Sequence, residues 1–160
     1  MLKIVVLGKG FLGKTFEKRG FEVWGKDELL ITEQTDLSVL VEYDVVINCI
    51  AKSNTRWCEV EQNFEEARFS NGIIPGLLRE YCQDYNKRFV HISTGCLYDD
   101  GVYPQTEHSP IVPYCSYTAT KRVGELGCCN ENLILRPRLL FGDSRDKNNL
   151  LCKLPSFKTF

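Results

Sequence analysis

A nearly unbroken apolar run, Leu2-Lys3-Ile4-Val5-Val6-Leu7, ends directly on Gly8-Lys9-Gly10-Phe11-Leu12-Gly13. Its length and its β-branched residues read as a strand buried on both faces. Glycines at G-x-G-x-x-G spacing then permit a tight turn and a close backbone approach to a pyrophosphate, which would rest on the N-terminus of the following helix. The spacing alone is weak, because glycines also simply make turns. Its place between a first strand and a first helix makes a dinucleotide site the better reading, formed by Gly8, Gly10, Phe11, Leu12 and Gly13.

The alternation continues along the chain. Gly13 to Arg19 reads as a short helix closed by Gly20, Phe21 to Trp24 as a second strand, and Leu29 to Thr32 as a weak third. Thr35 or Asp36 can cap a helix through Val41. Asp44 to Ile50 is another strongly apolar strand, and Glu59 to Tyr85 a long helical pattern interrupted at Asn71-Gly72 and at Pro75. Arg88 to Ser93 reads as a strand, Tyr114 to Gly127 as a helix and Leu133 to Arg136 as a last strand. Apolar strands separated by helices imply a parallel sheet covered on both faces, a doubly wound α/β fold of the Rossmann kind. Residues 1–142 are expected to form this dinucleotide-binding domain. Residues 143–160, polar at first and then Leu150-Leu151-Cys152-Lys153-Leu154, are expected to open a substrate-binding region that is cut off before it packs.

Composition excludes several other classes. A net charge of -1 gives no reason to expect nucleic acid or an anionic membrane as a partner. No apolar run is long enough to span a bilayer, and the first residues lack a signal-type pattern, so the cytosol is the expected location. Eight cysteines could suggest a disulfide framework, but they form no C-x-x-C pair. Several fall in apolar runs, as Cys49 and Cys82 do, where cysteine acts as a small hydrophobe. Reduced thiols and no metal site are the expectation.

Tyr117-Thr118-Ala119-Thr120-Lys121 places a tyrosine and a lysine at i, i+4 on one helix face. A neighbouring ammonium favours the phenolate, so Tyr117 could exchange a proton with a carbonyl or an alcohol near neutral pH. Ser93-Thr94 closes a strand at the edge where ligands bind in open α/β sheets. For the cofactor, Gly25-Lys26-Asp27 after the second strand leaves the ribose 2′-hydroxyl and the 2′-phosphate both open. Lys26 inclines the reading to NADP(H), with NAD(H) tolerated, although it also fits an ordinary solvated loop lysine. His91 reads as a packed, hydrogen-bonded histidine and His108 as a solvated one.

The stretch Glu107-x-x-Pro110-x-x-Pro113-x-x-x-Tyr117-x-x-x-Lys121-x-x-Gly124-Glu125, with Asn71 and Leu135-Arg136-Pro137, resembles the extended short-chain dehydrogenase/reductases that act on nucleotide sugars. The resemblance runs from residue 1 to about residue 154. Asn48 to Ala51 and His91 to Thr94 resemble the dTDP-4-dehydrorhamnose reductases. Trp57-Cys58-Glu59, Thr94-Gly95-Cys96, Leu135-x-x-Arg138 and Gly25-Lys26 are similar to the bifunctional UDP-4-keto-6-deoxyglucose 3,5-epimerase/4-reductases. This resemblance implies a nucleotide-sugar partner and a nicotinamide cofactor touching Ala51, Tyr117, Lys121 and Pro137, and it admits a homodimer. It implies Tyr117, Lys121 and Thr94 as catalytic for 4-keto reduction, with Cys96 and Lys153 as acid/base groups for epimerisation. Cys96 also fits a buried strand-end cysteine. The chain departs from the family in a phosphate loop one residue tighter, in a short first helix, and in Gly95 replacing the aspartate of the reductase branch. Two other readings stay open: a non-catalytic cofactor-binding module, and a nucleotide-sugar 4-epimerase or 4,6-dehydratase.

Overall fold

In the computed structural model the described residues are 2–99, 101, 104–126, 128, 132–142 and 145–156. Five strands form a single all-parallel sheet in the order β2-β1-β3-β4-β5. They are β1 (Ile4–Leu7), β2 (Glu22–Trp24), β3 (Val45–Asn48), β4 (Arg88–Ile92) and β5 (Leu133–Leu135). The order reverses between β1 and β3, which is the switch point where doubly wound sheets take their ligands. Val5 and Val6 point to opposite faces, yet both are fully buried, so β1 is covered on each side.

Helix α1 (Phe11–Lys18) covers one face over β1 and β2, with Gly13 set against Val23. The other face carries the core: Val5, Leu7, Val46 and Phe89 pack against Leu40 and Tyr43 and against Ile74, Leu78 and Cys82 of α4 (Ile74–Asp84). Between β3 and β4 the chain passes through α2 (Thr55–Cys58) and α3 (Phe64–Arg68) before α4. Then α5 (Ser116–Glu125) connects β4 to β5. Coverage on the α1 face thins toward the sheet edge, where Leu133 and Leu135 of β5 are 53% and 43% exposed.

Leu29 to Thr32 is not a strand. Thr35 Oγ1 donates to the Leu30 carbonyl and accepts from Thr32 N–H, so a side chain takes the backbone groups that a strand partner would need. Ile31 is anchored in the core, at 5% exposure, and Leu29 packs against that core. The expected helix through Val41 is a short 3₁₀ turn, Leu37–Leu40, capped by Asp36 Oδ1 accepting from Ser38 N–H at 2.8 Å.

The long helical pattern is broken where the sequence indicated. A π-helical turn spans Phe69–Ile73, and Pro75 sits in the first turn of α4, where a missing N–H costs nothing. There α3, the turn and α4 press closely on α5. A Cβ on Gly72 would lie 2.9 Å from Val123 Cγ1, and one on Gly124 would lie 2.3 Å from the Asn71 carbonyl oxygen.

Past β5, Asn149 Oδ1 accepts from Gly142 N–H at 3.2 Å and from Leu151 N–H at 3.2 Å, capping the short α6 (Leu150–Lys153). Of the segment expected to open a second region, residues 143–144 and 157–160 lie outside the described residues. So does Gly127, the expected end of the α5 helix, together with Cys129. No helix among the described residues is long and apolar enough to cross a membrane.

Candidate active site

Two groups of residues meet at the carboxyl ends of the strands. The first is the glycine loop after β1. Gly8 sits at φ +111°, a conformation L side chains rarely adopt, and a Cβ there would lie 2.9 Å from the backbone of Cys49 and Ile50. Gly13 is tighter still, with a Cβ position 1.9 Å from the Gly8 carbonyl oxygen. Gly10, by contrast, caps α1 with nothing within 4 Å of its Cβ position. The first backbone N–H groups of α1, including those of Phe11 and Leu12, therefore border open space suited to an anion. Ala51 follows β3 at the same edge, exposed, and Lys26 lies exposed in the turn after β2.

That turn holds a residue the sequence reading did not single out. Glu28 folds back so that its carboxylate accepts from Gly25 N–H at 2.7 Å and pairs with the Lys9 ammonium of the glycine loop. It thus sits at the end of β2, where an acidic side chain meets a ribose 2′-hydroxyl in such folds. The pairing spans 19 residues, so no local pattern announced it.

The second group surrounds Tyr117 near the start of α5. Cys115 and Thr118 cap that helix reciprocally, and Glu59 braces its first turn, accepting from Ser116 Oγ at 3.0 Å and Tyr117 N–H at 3.3 Å. On the sheet side, Thr94 Oγ1 accepts from Cys96 N–H at 3.2 Å. Thr94 also hydrogen-bonds the Tyr117 side chain, with Cys96, Cys58 and Cys115 close enough to act on it electrostatically. Gly95 N–H donates to the Pro137 carbonyl at 2.9 Å, joining the segments after β4 and β5. A Cβ on Gly95 would stand 3.1 Å from the Arg136 carbonyl oxygen, so this crossing favours glycine over aspartate. The structure thus brings together Thr94, Cys96, Tyr117 and Pro137. Lys153 lies exposed on α6.

Asn71 and Lys121 tie this group to the core. Asn71 Oδ1 accepts from Lys52 N–H at 2.8 Å, while its Nδ2 donates to the Lys52 carbonyl at 3.2 Å and to Thr120 Oγ1 at 3.0 Å. One side chain therefore joins the loop after β3 to α5. Lys121 is fully buried, and its Nζ donates to the Ile92 carbonyl at 2.7 Å. One turn further along α5, buried Glu125 receives a bidentate pair of bonds from Arg136, at 2.8 and 2.9 Å.

Burial dominates the electrostatics. It pushes the Tyr117 phenol up to about 12, against the opposing effect of its hydrogen bond with Thr94. It pushes Lys121 down to about 8, with Glu125 and Cys49 favouring the ammonium. The sequence suggested that Lys121 would draw Tyr117 toward phenolate. Here the lysine turns inward, so Tyr117 stays a protonated phenol near neutral pH. Such a group can give a proton to a developing oxyanion. Among the described cysteines none is in a disulfide, and burial pushes the Cys49 and Cys82 thiols up to about 12.

Residues 3–156 match the family described as RmlD substrate binding domain. A probable low-salt glycan biosynthesis reductase, Agl14 of Haloferax volcanii, is 35% identical over 123 residues, 72% of this chain and 40% of that protein. Among solved structures, a dTDP-4-dehydrorhamnose reductase from Clostridium acetobutylicum superposes with a TM-score of 0.79 at 27% identity, over 97% of this chain and 59% of that one. A dTDP-4-dehydrorhamnose reductase from Bacillus anthracis in complex with NADP gives 0.75 at 22% identity, over 98% of this chain and 59% of its own. The chain thus spans about two fifths of the curated relative's length and about three fifths of each solved structure.

Proposed function

The chain belongs to the RmlD substrate binding domain family, and from that premise we propose that it is the cofactor-binding part of a nucleotide-sugar reductase of deoxysugar biosynthesis. Its substrate would be a 4-keto-6-deoxy sugar nucleotide. The observation that carries this reading is the meeting of Thr94, Cys96 and Tyr117 at the end of β4, on the same sheet edge as an anion-ready glycine loop.

The loop fits a nicotinamide dinucleotide, because Gly10 leaves open the space a pyrophosphate needs. When bound, the nicotinamide supplies the hydride. Tyr117, neutral near pH 7, donates its proton to the 4-keto oxygen, and the Thr94 hydroxyl positions the phenol. Lys121 stands one turn along the same helix face as the source from which the phenol is restored. Lys26 and Lys9 favour NADP(H) at the adenosine end, while Glu28 keeps NAD(H) usable. Cys96, beside Tyr117, is the acid/base group in a preceding 3,5-epimerisation; the part of Lys153 rests on the resemblance alone. The setting this implies is a cytosolic enzyme, working as a homodimer.

The test is NADPH oxidation with UDP- and dTDP-linked 4-keto-6-deoxy sugars. Tyr117→Phe is expected to lower kcat by roughly 10²–10⁴, the range for losing a general acid. Unchanged turnover in that variant refutes the assignment, and NADPH binding without any turnover in the parent identifies a cofactor module instead.

A further inference from the structure

Asn48, His91 and Lys121 are each completely buried, and the proton-donor role of Tyr117 leaves the first two without a task. Asn48 and His91 are register partners on β3 and β4, so their side chains stand together on the sheet face that packs against α5. Ile50 N–H donates to Asn48 Oδ1 at 3.0 Å. A backbone N–H can only donate, so the amide oxygen is committed to Ile50 and the amide Nδ2 faces His91 Nδ1, 3.2 Å away. Nδ2 donates, so Nδ1 must accept. A neutral imidazole that accepts at Nδ1 carries its proton on Nε2. Burial, reinforced by the charge of Lys121, keeps the ring neutral and pushes its pKa down to about 2. The Nε2–H then faces Lys121 Nζ at a long 3.4 Å.

An ammonium has only donors, and against Nε2–H one donor would oppose another. A neutral amine has a lone pair that can accept from Nε2–H while one of its own N–H bonds serves the Ile92 carbonyl. We propose that Asn48 and His91 are positioning residues for the reaction, a buried pair that presents Lys121 with a fixed Nε2–H donor and so stabilises its neutral amine form. The proposal rests on the reading of Tyr117 and Lys121 as the reacting pair. As hydride adds to the carbonyl carbon, the Tyr117 O–H bond breaks and its proton goes to the carbonyl oxygen, leaving a phenolate. An N–H bond of the Lys121 ammonium then breaks, and that proton restores the phenol. Lys121 is left as the amine that His91 is placed to receive, and it regains a proton from water before the next turnover.

Other groups also face Lys121. From the end of β3 comes Cys49, a thiol that burial keeps neutral. From α5 comes Glu125, whose carboxylate favours the ammonium but is itself paired with Arg136 after β5. His91 differs from these in having its donor aimed by a neighbour.

Nitrogen-15 spectra of histidine-labelled protein without cofactor read the tautomer directly. His91 is expected to show an unprotonated Nδ1 and a protonated Nε2 throughout the neutral range. The reverse tautomer, or an imidazolium near pH 7, overturns the proposal. Asn48→Asp replaces the amide donor with an acceptor, which draws the ring proton to Nδ1 and leaves Nε2 as an acceptor that suits an ammonium. The expected result is a His91 proton moved to Nδ1 and a roughly tenfold rise in the ammonium-to-amine ratio of Lys121 at a given pH. The carbon-13 shift of the labelled lysine Cε reads that ratio, and the pH profile of kcat is expected to move the same way. A Lys121 titration unmoved by Asn48→Asp overturns the proposal; if that variant does not fold, the tautomer in the parent protein decides alone. Unchanged turnover in Tyr117→Phe would instead remove the catalytic assignment and leave the tautomer result standing.

Discussion

The glycine loop lets cofactor binding be separated from folding with two methyl groups. At Gly13 an added Cβ would sit 1.9 Å from the Gly8 carbonyl oxygen, and ordinary contact requires a retreat of about 1.5 Å. The obstacle is backbone, and Gly8 is already held at φ +111°, so relief must come from moving the loop or lifting α1 off the sheet. Overpacking of this kind costs about 1–3 kcal/mol, and each kcal/mol lowers Tm by about 2–4 °C in a chain of this size. At Gly10 the same methyl meets nothing within 4 Å. The backbone there, at φ −76°, is open to any residue, so stability is expected to change by less than about 0.5 kcal/mol. That methyl would nevertheless occupy the space a pyrophosphate oxygen must approach, and a loss of about tenfold or more in affinity is expected, or 1.4 kcal/mol. Thermal melts with calorimetric titration of NADPH and NADH separate the two effects. Gly10→Ala is expected to melt like the parent and bind poorly, while Gly13→Ala loses on both counts. A Gly10→Ala protein that binds either dinucleotide with parental affinity refutes the placement of the cofactor on this loop.

Two further outcomes follow from buried and paired charges. Glu125→Gln leaves the Arg136 guanidinium without its carboxylate and is expected to destabilise the fold by about 3 kcal/mol, read by denaturant titration. In the parent, burial raises the Glu125 carboxyl pKa, but the Arg136 hydrogen bonds outweigh it and the net shift is downward from 4.5. A depressed carboxyl contributes stability above its unfolded pKa and loses it as pH falls through the folded value. The parent is thus expected to weaken below about pH 4.5, and Glu125→Gln to lack that component; matching acid profiles would refute the pairing. At the other end of the sheet, Glu28→Gln removes the negative charge beside Lys9 and is expected to raise the NADPH-to-NADH affinity ratio by about threefold to tenfold. An unchanged ratio would remove Glu28 from the ribose site.

What could be read from the chain was local. Strands such as Ile4–Leu7 and Val45–Asn48 declare themselves because residues on both of their faces are apolar. The Tyr117 and Lys121 spacing belongs to one helix turn, and Asn71-Gly72 and Pro75 marked the break before α4 because each weakens a helix by itself. Leu29 to Thr32 misled because β-branched residues suggested a strand while Thr35, a few residues on, captured its backbone groups. The unseen parts of the site all depend on chain reversal. Glu28 meets Lys9, His91 meets Lys121 across 30 residues, and Glu125 meets Arg136, and none of these partners shares a helix or a strand. The inward turn of Lys121 was equally hidden, since only the packed sheet brings the Ile92 carbonyl beneath α5.

The close seam at Gly72 and Gly124 bears on how the site moves. At Gly124 the backbones of α5 and the π-helical turn touch without an intervening side chain, so no rotamer is there to absorb a fluctuation. The π-helical turn and α5 are therefore obliged to drift as one body, carrying Asn71, Thr120 and Lys121 together. Tyr117 and Lys121, both on α5, are expected to travel with that body. Atomic motion at this end of the sheet changes where the whole platform lies, and leaves its internal distances alone.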